Sequence, residues 1–355
     1  MLLKNFLTFA PKSNKKINIT NRMFEKNTHI FKQFLKTFVP LFFGLLVFVL
    51  IFKKLDFNKI MSIARMDVNY WIIALSLPFG LFANIIRAYR WRLLIYPLGY
   101  RPKASNLIYA FLGNYGVNLA FPRLGEVWRC TMVNRYEKIP FPALIGTMIT
   151  DRVFDLIPVG LIVVVAFILN VPYFKLFFAE SPIVFDKLYA IASSVWLYVA
   201  LIFIGIVIWF LFAYLKEKVF IRKVKTNLLN IWEGIRSISR MKDKWMFIFY
   251  TCLIWFGYFL YFYICFYAFP FTKELGWNRG LIVFGISSIA MTVPVQAGIG
   301  AWHIVVIAVL VGFGLSKIDA AAFALCVHTI QAIIFTALFG LFGILALPIA
   351  NKKNK

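Results

Sequence analysis

Long, uninterrupted apolar runs recur along this chain and are separated by shorter polar and basic segments. The clearest runs are Phe38–Phe52, Leu156–Leu169, Leu197–Leu215 and Ala320–Leu347. Such runs are typical of helices that cross a bilayer, which need about 20 mainly apolar residues. The strands of a membrane barrel would instead alternate apolar and polar positions. The pattern therefore predicts an all-α polytopic membrane protein.

Six spanning helices are predicted from these runs and their flanks, over residues 36–53, 71–96, 142–169, 188–215, 245–269 and 319–348. Two further apolar segments, 104–138 and 279–315, are broken by proline, glycine and asparagine. The residues at these backbone breaks are Pro122 and Gly125 in the first segment and Pro294, Gly298 and Gly300 in the second. Paired breaks at bilayer depth point to a transport site, because the freed backbone must face protein or an aqueous cavity. We expect two re-entrant helical hairpins of opposite orientation, with two full spans as the alternative for 279–315.

Composition and charge define the organisation around these helices. The chain is 62% hydrophobic and only 15% charged, which excludes an ordinary soluble domain. We expect a single transmembrane domain over 36–348 between basic tails at 1–35 and 349–355. Basic residues outnumber acidic ones by 39 to 14, and basic loops favour the cytoplasmic side. With both hairpins re-entrant, most of these charges, including those of 87–138, fall on the side of the two termini, which are predicted to be cytoplasmic.

The same positive balance predicts contact with anionic lipid head groups, which attract basic residues near the membrane surface. Nucleic acid is not an expected partner, because no basic stretch has the interleaved aromatic residues that stack on bases. The four cysteines form no CxxC pair, so neither a metal nor a disulfide framework is expected. The chain also lacks the GK[ST] phosphate loop, HExxH and GxSxG. We therefore expect no cofactor and no ATP-driven pumping by this chain.

A first group of candidate site residues lies in and after the first broken segment. Its members are polar or charged side chains at or near bilayer depth: Asn114, Asn118, Arg123, Glu126, Arg129, Asp151, Arg152 and Asp155. An ionisable group inside a membrane costs several kcal/mol unless it is paired or hydrated, so this concentration predicts a polar cavity. Arginine suits bidentate phosphate binding, and we assign that role to Arg123 and a salt-bridge role to Arg152. The alternative is a purely structural set of salt bridges or snorkelling side chains.

A second group surrounds the other break, where Gln296 and His303 accompany Gly298 and Gly300. Glycines permit close backbone approach, Gln296 can donate and accept hydrogen bonds, and a histidine can titrate near neutral pH. These residues are predicted to line the cavity opposite the first group. The alternative is glycine packing and a histidine that only satisfies a hydrogen bond. His328 and Gln331 are interpreted as interhelical hydrogen-bonding residues.

In these motifs the chain resembles the lysylphosphatidylglycerol synthase transmembrane family, the flippase-like region of the bacterial multiple peptide resistance factor. The resemblance covers residues 36–348. It rests on Asn118 and the Pro122-Arg123-Leu-Gly125-Glu126 run with Arg129, on Asp151-Arg152 with Asp155, and on Pro294 with Gly298-Ile-Gly300. The family's later motif has more glycines and a following glutamate, whereas this chain has Val295, Gln296 and Ala297, with His303 near the place of the acid.

The resemblance implies the translocating half of such proteins, since seven residues follow position 348 and no aminoacyl transferase domain is expected. The implied function is a flippase-like translocator of the bacterial inner membrane that moves a lipid or lipid-linked amphiphile between leaflets. The expected partners are an anionic phospholipid or other lipid substrate and the bilayer, with self-association left open. The alternatives are a membrane-embedded head-group transferase, with Asp151 or Asp155 as base, and a scaffold for a membrane enzyme.

The predicted topology can be tested by cysteine labelling. Single cysteines replacing Ser13 and Glu180 in a cysteine-free background should react with an impermeant thiol reagent from opposite sides of the membrane, because the charge distribution places the two segments on opposite faces. Labelling of both positions from the same side would exclude the six-span arrangement.

Overall fold

The computed structural model describes residues 39, 41–53, 55–121, 124–171, 194–195, 199, 242–293 and 295–352. Within this part of the chain every regular element is a helix, which confirms the all-α class. In chain order the helices are α1 (Leu41–Phe52), α2 (Phe57–Met66), α3 (Tyr70–Ile95), α4 (Ala104–Ala120), α5 (Leu124–Glu137), α6 (Phe141–Leu169), α7 (Lys244–Tyr263), α8 (Gly276–Ala290), α9 (Ala301–Gly312), α10 (Lys317–His328) and α11 (Thr336–Ala350).

Short turns of other helix types extend or join these elements. A 3₁₀ turn, Tyr96–Leu98, continues α3, and another, Ile264–Ala268, continues α7. A π-helical stretch, Thr329–Phe335, joins α10 to α11. Four of the resulting helices are long and apolar enough to cross a membrane: Tyr70–Leu98, Phe141–Leu169, Lys244–Ala268 and Lys317–Ala350.

These four helices agree with four of the predicted spans to within a few residues. The first predicted span, 36–53, contains the short helix α1, and 188–215 lies outside the described residues except for 194–195 and 199. Helix α2 follows α1 in the chain, and Asp56 caps its N-terminus by accepting a hydrogen bond from the Lys59 amide at 3.2 Å. The count of six spans stays a prediction, as do the boundaries of the domain and its tails.

Each broken segment forms a pair of helices with the interruption near its centre. Helices α4 and α5 pack together across the first break, and α8 and α9 flank the second. At the second break Ala297 has φ of 49° and Gly298 has φ of 74°, a left-handed conformation that reverses the chain. Helix α4 also contacts this turn, so the first helix pair packs against the second interruption.

Helix α4 packs closely against α11 because glycines lie where the two backbones cross. A Cβ atom on Gly116 would lie 2.8 Å from the Cα of Gly340, and Gly113 faces Gly343 in the same interface. Small residues allow membrane helices to approach and gain dispersion contacts along their length. This crossing joins the first helix pair to the C-terminal helix.

Gly116→Ala should therefore destabilise the protein, while the same change at Gly160 should not. A methyl group at Gly116 would collide with backbone that cannot rotate away, and such overpacking costs about 1–3 kcal/mol. A Cβ on Gly160 would meet no atom within 4 Å, and alanine is the better helix former there. Thermal unfolding in detergent should give a lower midpoint for Gly116→Ala and an unchanged or higher midpoint for Gly160→Ala. Equal midpoints would contradict the close crossing.

Candidate ligand cavity

A network of buried ion pairs joins α3 to α6. Arg87 and Arg90 lie on one face of α3, and Asp151 and Asp155 lie on one face of α6, because residues three or four apart share a helix face. One guanidinium nitrogen of Arg90 lies 2.6 Å from Asp151 Oδ1 and 2.6 Å from Asp155 Oδ1. The Arg87 guanidinium donates a hydrogen bond to the other oxygen of Asp155. Two helices that are far apart in the chain are thereby fixed against each other.

The burial of this network makes its pairing essential to the fold. Arg90 and Asp151 have no exposed side-chain surface. Arg90 also donates to the Thr251 hydroxyl of α7 at 3.3 Å, and its guanidinium lies 5.4 Å from the Phe247 ring centre. A charge left without its partner in such surroundings retains its desolvation penalty.

A second, more exposed pair connects α6 to α5. The Arg152 guanidinium donates to Glu126 Oε1 at 2.9 Å, and the two side chains are 37% and 20% exposed. The Asn118 amide donates to the other Glu126 oxygen at 3.3 Å. The Asn118 carbonyl oxygen accepts from the Gly125 amide at 2.8 Å. Asn118 therefore ties the end of α4 to the start of α5 and aligns the carboxylate with Arg152.

These groups border a cavity of about 770 Å³. Its charged part includes Arg87, Glu126, Arg152 and Asp155. Other regions of the wall are mainly aromatic and aliphatic, with members such as Leu156, Phe262, Phe284, Phe335 and Phe339. Charged and apolar surfaces thus line one continuous space.

Tyrosine hydroxyls extend the polar part of this wall. Arg87 donates to the Tyr115 hydroxyl at 3.2 Å and to the Tyr258 hydroxyl at 3.5 Å. Tyr258 in turn donates to the Asn84 side-chain oxygen at 2.8 Å. The guanidinium is therefore held by contacts with α4, α6 and α7, which fixes its position at the cavity edge.

The turn between α8 and α9 reaches the same cavity through its backbone. Ala297 and Gly298 line the wall, and the carbonyl oxygen of Ala297 lies 2.8 Å from His328 Nε2 on α10. His303 instead packs behind His328, with 4.4 Å between their ring centres.

Gln331 donates to Ser76 at 2.9 Å and to the Tyr261 carbonyl at 2.6 Å, which links α3, α7 and the π-helical stretch.

The structure separates the sequence-predicted site residues into three sets. Those that line the cavity are Asn118, Glu126, Arg152, Asp155 and Gly298. Those that are buried without being part of this wall are Asn114, Arg129, Asp151, Gln296 and His303. Those that lie outside the described residues are Pro122, Arg123 and Pro294. Gly125 and Gly300 lie where another part of the backbone approaches closely. A Cβ on Gly125 would overlap the Asn114 carbonyl oxygen, and a Cβ on Gly300 would lie 2.6 Å from the Gly44 carbonyl oxygen. The binding role of each residue stays a prediction.

Arg129 differs from the other buried arginines because aromatic rings enclose it. Its guanidinium lies 4.3 Å from the Trp91 ring centre and 4.0 Å from that of Phe111. Its three nitrogens have no hydrogen-bond partner among the described residues. Cation–π contacts therefore provide its nearest stabilisation in this part of the chain.

Sequence reasoning missed the arginines that bind the two aspartates. The charge count treats Arg87 and Arg90 as part of a basic cytoplasmic stretch, whereas the structure buries both inside α3. The sequence contained a signal for this pairing. Arg87 and Arg90 are three residues apart in one long apolar helix, and Asp151 and Asp155 are four residues apart in another. Arg152 was expected to form salt bridges, and it lies 3.9 Å from Asp155 of its own helix and closer, at 2.9 Å, to Glu126 of α5.

Asp151→Asn should destabilise the protein by about 3–5 kcal/mol, because it leaves the buried Arg90 without its full counter-charge. The matched control is Asp56→Asn. Asp56 lies 3.9 Å from Lys59 in an exposed pair of the kind worth about 0–1 kcal/mol, and asparagine is an equally good helix cap. Thermal unfolding in detergent should separate the two variants. Similar midpoints would show that the buried network does not hold α3 and α6 together.

Comparison with known proteins identifies one family over most of the chain. The family model described as lysylphosphatidylglycerol synthase TM region matches residues 37–340. Glycosyltransferase AglD of Haloferax volcanii is 29% identical over 107 residues, which are 30% of this chain and 17% of that protein. The match thus spans about a sixth of the length of this curated relative. No solved structure matches the chain.

Proposed function

Since the chain belongs to the lysylphosphatidylglycerol synthase TM region family, we propose that it is a flippase-like translocator that moves a lipid or lipid-linked amphiphile between the leaflets of a bacterial inner membrane. In this proposal the cavity receives the polar head group. Both termini lie in the cytoplasm, and the α4–α5 and α8–α9 pairs are re-entrant hairpins whose interrupted ends adjoin the pathway. The substrate is an anionic phospholipid or a related lipid.

The proposal is supported mainly by one cavity of about 770 Å³ whose wall has both charged and apolar side chains. Arg87 and Arg152 border it beside Phe284 and Phe339. An amphiphile has the same division, with a polar head and hydrocarbon chains. A cavity for a small water-soluble solute would not need so much aromatic and aliphatic wall, whereas a lipid gains free energy by covering it.

The charged groups suit a phosphate-containing head. Phosphate binding was predicted for Arg123, which lies outside the described residues. Of the two described arginines on the cavity wall, Arg152 is more exposed than Arg87, and a guanidinium can hold two phosphate oxygens in one plane. Glu126 and Asp155 balance the positive charge of the wall. A phosphate that binds Arg152 displaces Glu126 from this guanidinium, and the Asn118 amide remains as a donor to the released carboxylate.

A head-group transferase is the alternative, favoured by the name of the glycosyltransferase relative and by a carboxylate on the cavity wall. Asp155 is the candidate base. It is held by both Arg87 and Arg90, and each of its two carboxylate oxygens already accepts a hydrogen bond from a guanidinium group. This contact opposes the transferase and supports a binding role.

Reconstitution tests the proposal directly. Purified full-length protein in liposomes with a chain-labelled fluorescent phosphatidylglycerol should increase interleaflet movement while the mass of the lipid stays constant. Arg152→Lys should fold normally and retain its charge, yet movement should fall about tenfold because the planar bidentate contact is lost. Lys59→Arg on the exposed part of α2 is the control and should leave the rate unchanged.

The three functions give different results in this assay. A changed lipid mass after addition of an activated sugar or aminoacyl donor would favour the transferase. A well-folded wild-type protein that accelerates no lipid and changes no mass would favour a scaffold. Movement by Arg152→Lys at the wild-type rate would remove the phosphate-binding role from this residue.

A further inference from the structure

Two buried histidines lie next to one another where the α8–α9 turn meets α10. The ring centres of His303 on α9 and His328 on α10 are 4.4 Å apart, and each residue is only 2% exposed. His328 borders the cavity, whereas His303 is not part of its wall. The proposed phosphate contact at Arg152 uses neither ring of this histidine pair.

The contact with the turn determines which nitrogen of the neutral His328 ring has the proton. Its Nε2 lies 2.8 Å from the Ala297 carbonyl oxygen, and a carbonyl oxygen can only accept a hydrogen bond. Nε2 is therefore the protonated nitrogen, and Nδ1 keeps the lone pair that can bind a further proton. Proton uptake at Nδ1 does not compete with the bond between the ring and the turn.

Aromatic side chains surround the histidine pair. The ring centre of His303 lies 5.1 Å from that of Phe48 and 6.0 Å from that of Phe52, both on α1. The Trp302 ring centre lies 5.2 Å from that of His328. His303 Nδ1 has no hydrogen-bond partner among the described residues. A proton taken up here would place a positive charge mainly among rings.

The charged and titratable groups around the histidine pair are bound to other partners. Among the described residues neither histidine takes part in a salt bridge. On α10 the Cys326 thiol lies 4.0 Å from the Tyr70 hydroxyl, and α2 packs on α10 through apolar side chains. The charged groups on the cavity wall are paired with one another, Arg87 with Asp155 and Arg152 with Glu126.

A protonated histidine pair would therefore be costly while it stays enclosed. An ion without a counter-charge inside protein retains its desolvation penalty. The hydrogen bond from Nε2 to Ala297 would become charge-assisted, but this gain is smaller than the penalty. Protonation thus favours a conformation in which the turn has moved away and water from the cavity reaches the rings.

We propose that the histidine pair is a proton-binding site and that the uptake of one proton releases the α8–α9 turn from α10. The proton passes from a hydronium ion in the cavity to His328 Nδ1, where a new N–H bond forms. A single proton is bound, because two positive rings 4.4 Å apart would repel each other.

Release of the turn alters the cavity itself, because Ala297 and Gly298 belong to its wall. The effect is reciprocal: a lipid that binds better when the turn is released also promotes proton uptake. This inference rests on the proposed lipid-translocating function and specifies its coupling to protons.

Hydrogen–deuterium exchange of the full-length protein in lipid nanodiscs measures release of the turn. The Gly298 amide donates to the Val295 carbonyl at 3.3 Å, and the Ile299 amide donates to the Gln296 carbonyl at 2.9 Å. After correction for the intrinsic pH dependence of exchange, protection of these amides should fall about tenfold between pH 7.5 and pH 5.5. One bound proton changes the opening equilibrium by at most about tenfold per pH unit.

The same pH change should accelerate lipid movement in liposomes. Chain-labelled phosphatidylglycerol should move between leaflets about tenfold faster at pH 5.5 than at pH 7.5, because more of the protein has the released turn. Protein-free liposomes at each pH provide the background rate.

His328→Gln removes the titrating ring and keeps an amide N–H that can donate to the Ala297 carbonyl. Its turn protection and its lipid movement should not change between pH 7.5 and pH 5.5. The matched control is His29→Gln, since His29 is the third histidine of the chain and lies outside the described residues. It should retain the wild-type pH dependence. Thermal unfolding midpoints check the folding of both variants.

The two measurements separate failure of the proton site from failure of the translocator. Constant protection of the turn in a wild-type protein that moves lipid would overturn the proton site alone, as would unchanged pH dependence in folded His328→Gln. Turn protection that depends on pH, with lipid movement that does not, would contradict the coupling. A pH-dependent turn in a protein that moves no lipid above background would support the proton site and reject the translocating function.

Discussion

The pairing of buried charge between α3 and α6 is the constraint on which the other features of this protein depend. Arg90 and Asp151 are fully enclosed, and Arg87 and Asp155 complete the network at the cavity edge. In a low-dielectric environment neither helix can present these groups without the other, because each unpaired charge would cost several kcal/mol. The network therefore fixes which faces of α3 and α6 meet. It also places a guanidinium and a carboxylate where the cavity begins.

The second constraint is close backbone packing around the two interruptions. Gly116 and Gly340 let α4 and α11 cross tightly, and Gly300 lets the turn before α9 approach α1. The turn presents the Ala297 carbonyl to His328, so a side chain on α10 satisfies backbone that the broken helix leaves free. Irregular backbone is thus enclosed by protein on one side and borders the cavity on the other.

These two constraints give the cavity a rigid polar rim and an apolar body. The buried charges on α3 and α6 are paired with one another, and the Arg152–Glu126 pair is more exposed. Arg129 keeps its charge between Trp91 and Phe111. In the proposed function, this difference in burial assigns a structural role to the buried network and a binding role to the exposed pair.

The sequence by itself determined the helical class and the approximate position of four long helices, because apolar runs of sufficient length have no other stable form in a bilayer. It also located both interruptions, since Pro122, Gly125, Gly298 and Gly300 restrict or free the backbone wherever they occur. Only the tertiary structure decided the partners: that Asp151 binds Arg90, that Arg152 binds Glu126, and that Gln296 and His303 lie behind the wall that His328 reaches. Local residue patterns fix the conformation of a segment and the face on which a side chain lies. Which distant face it meets depends on how the helices pack, and no spacing within one helix contains that information.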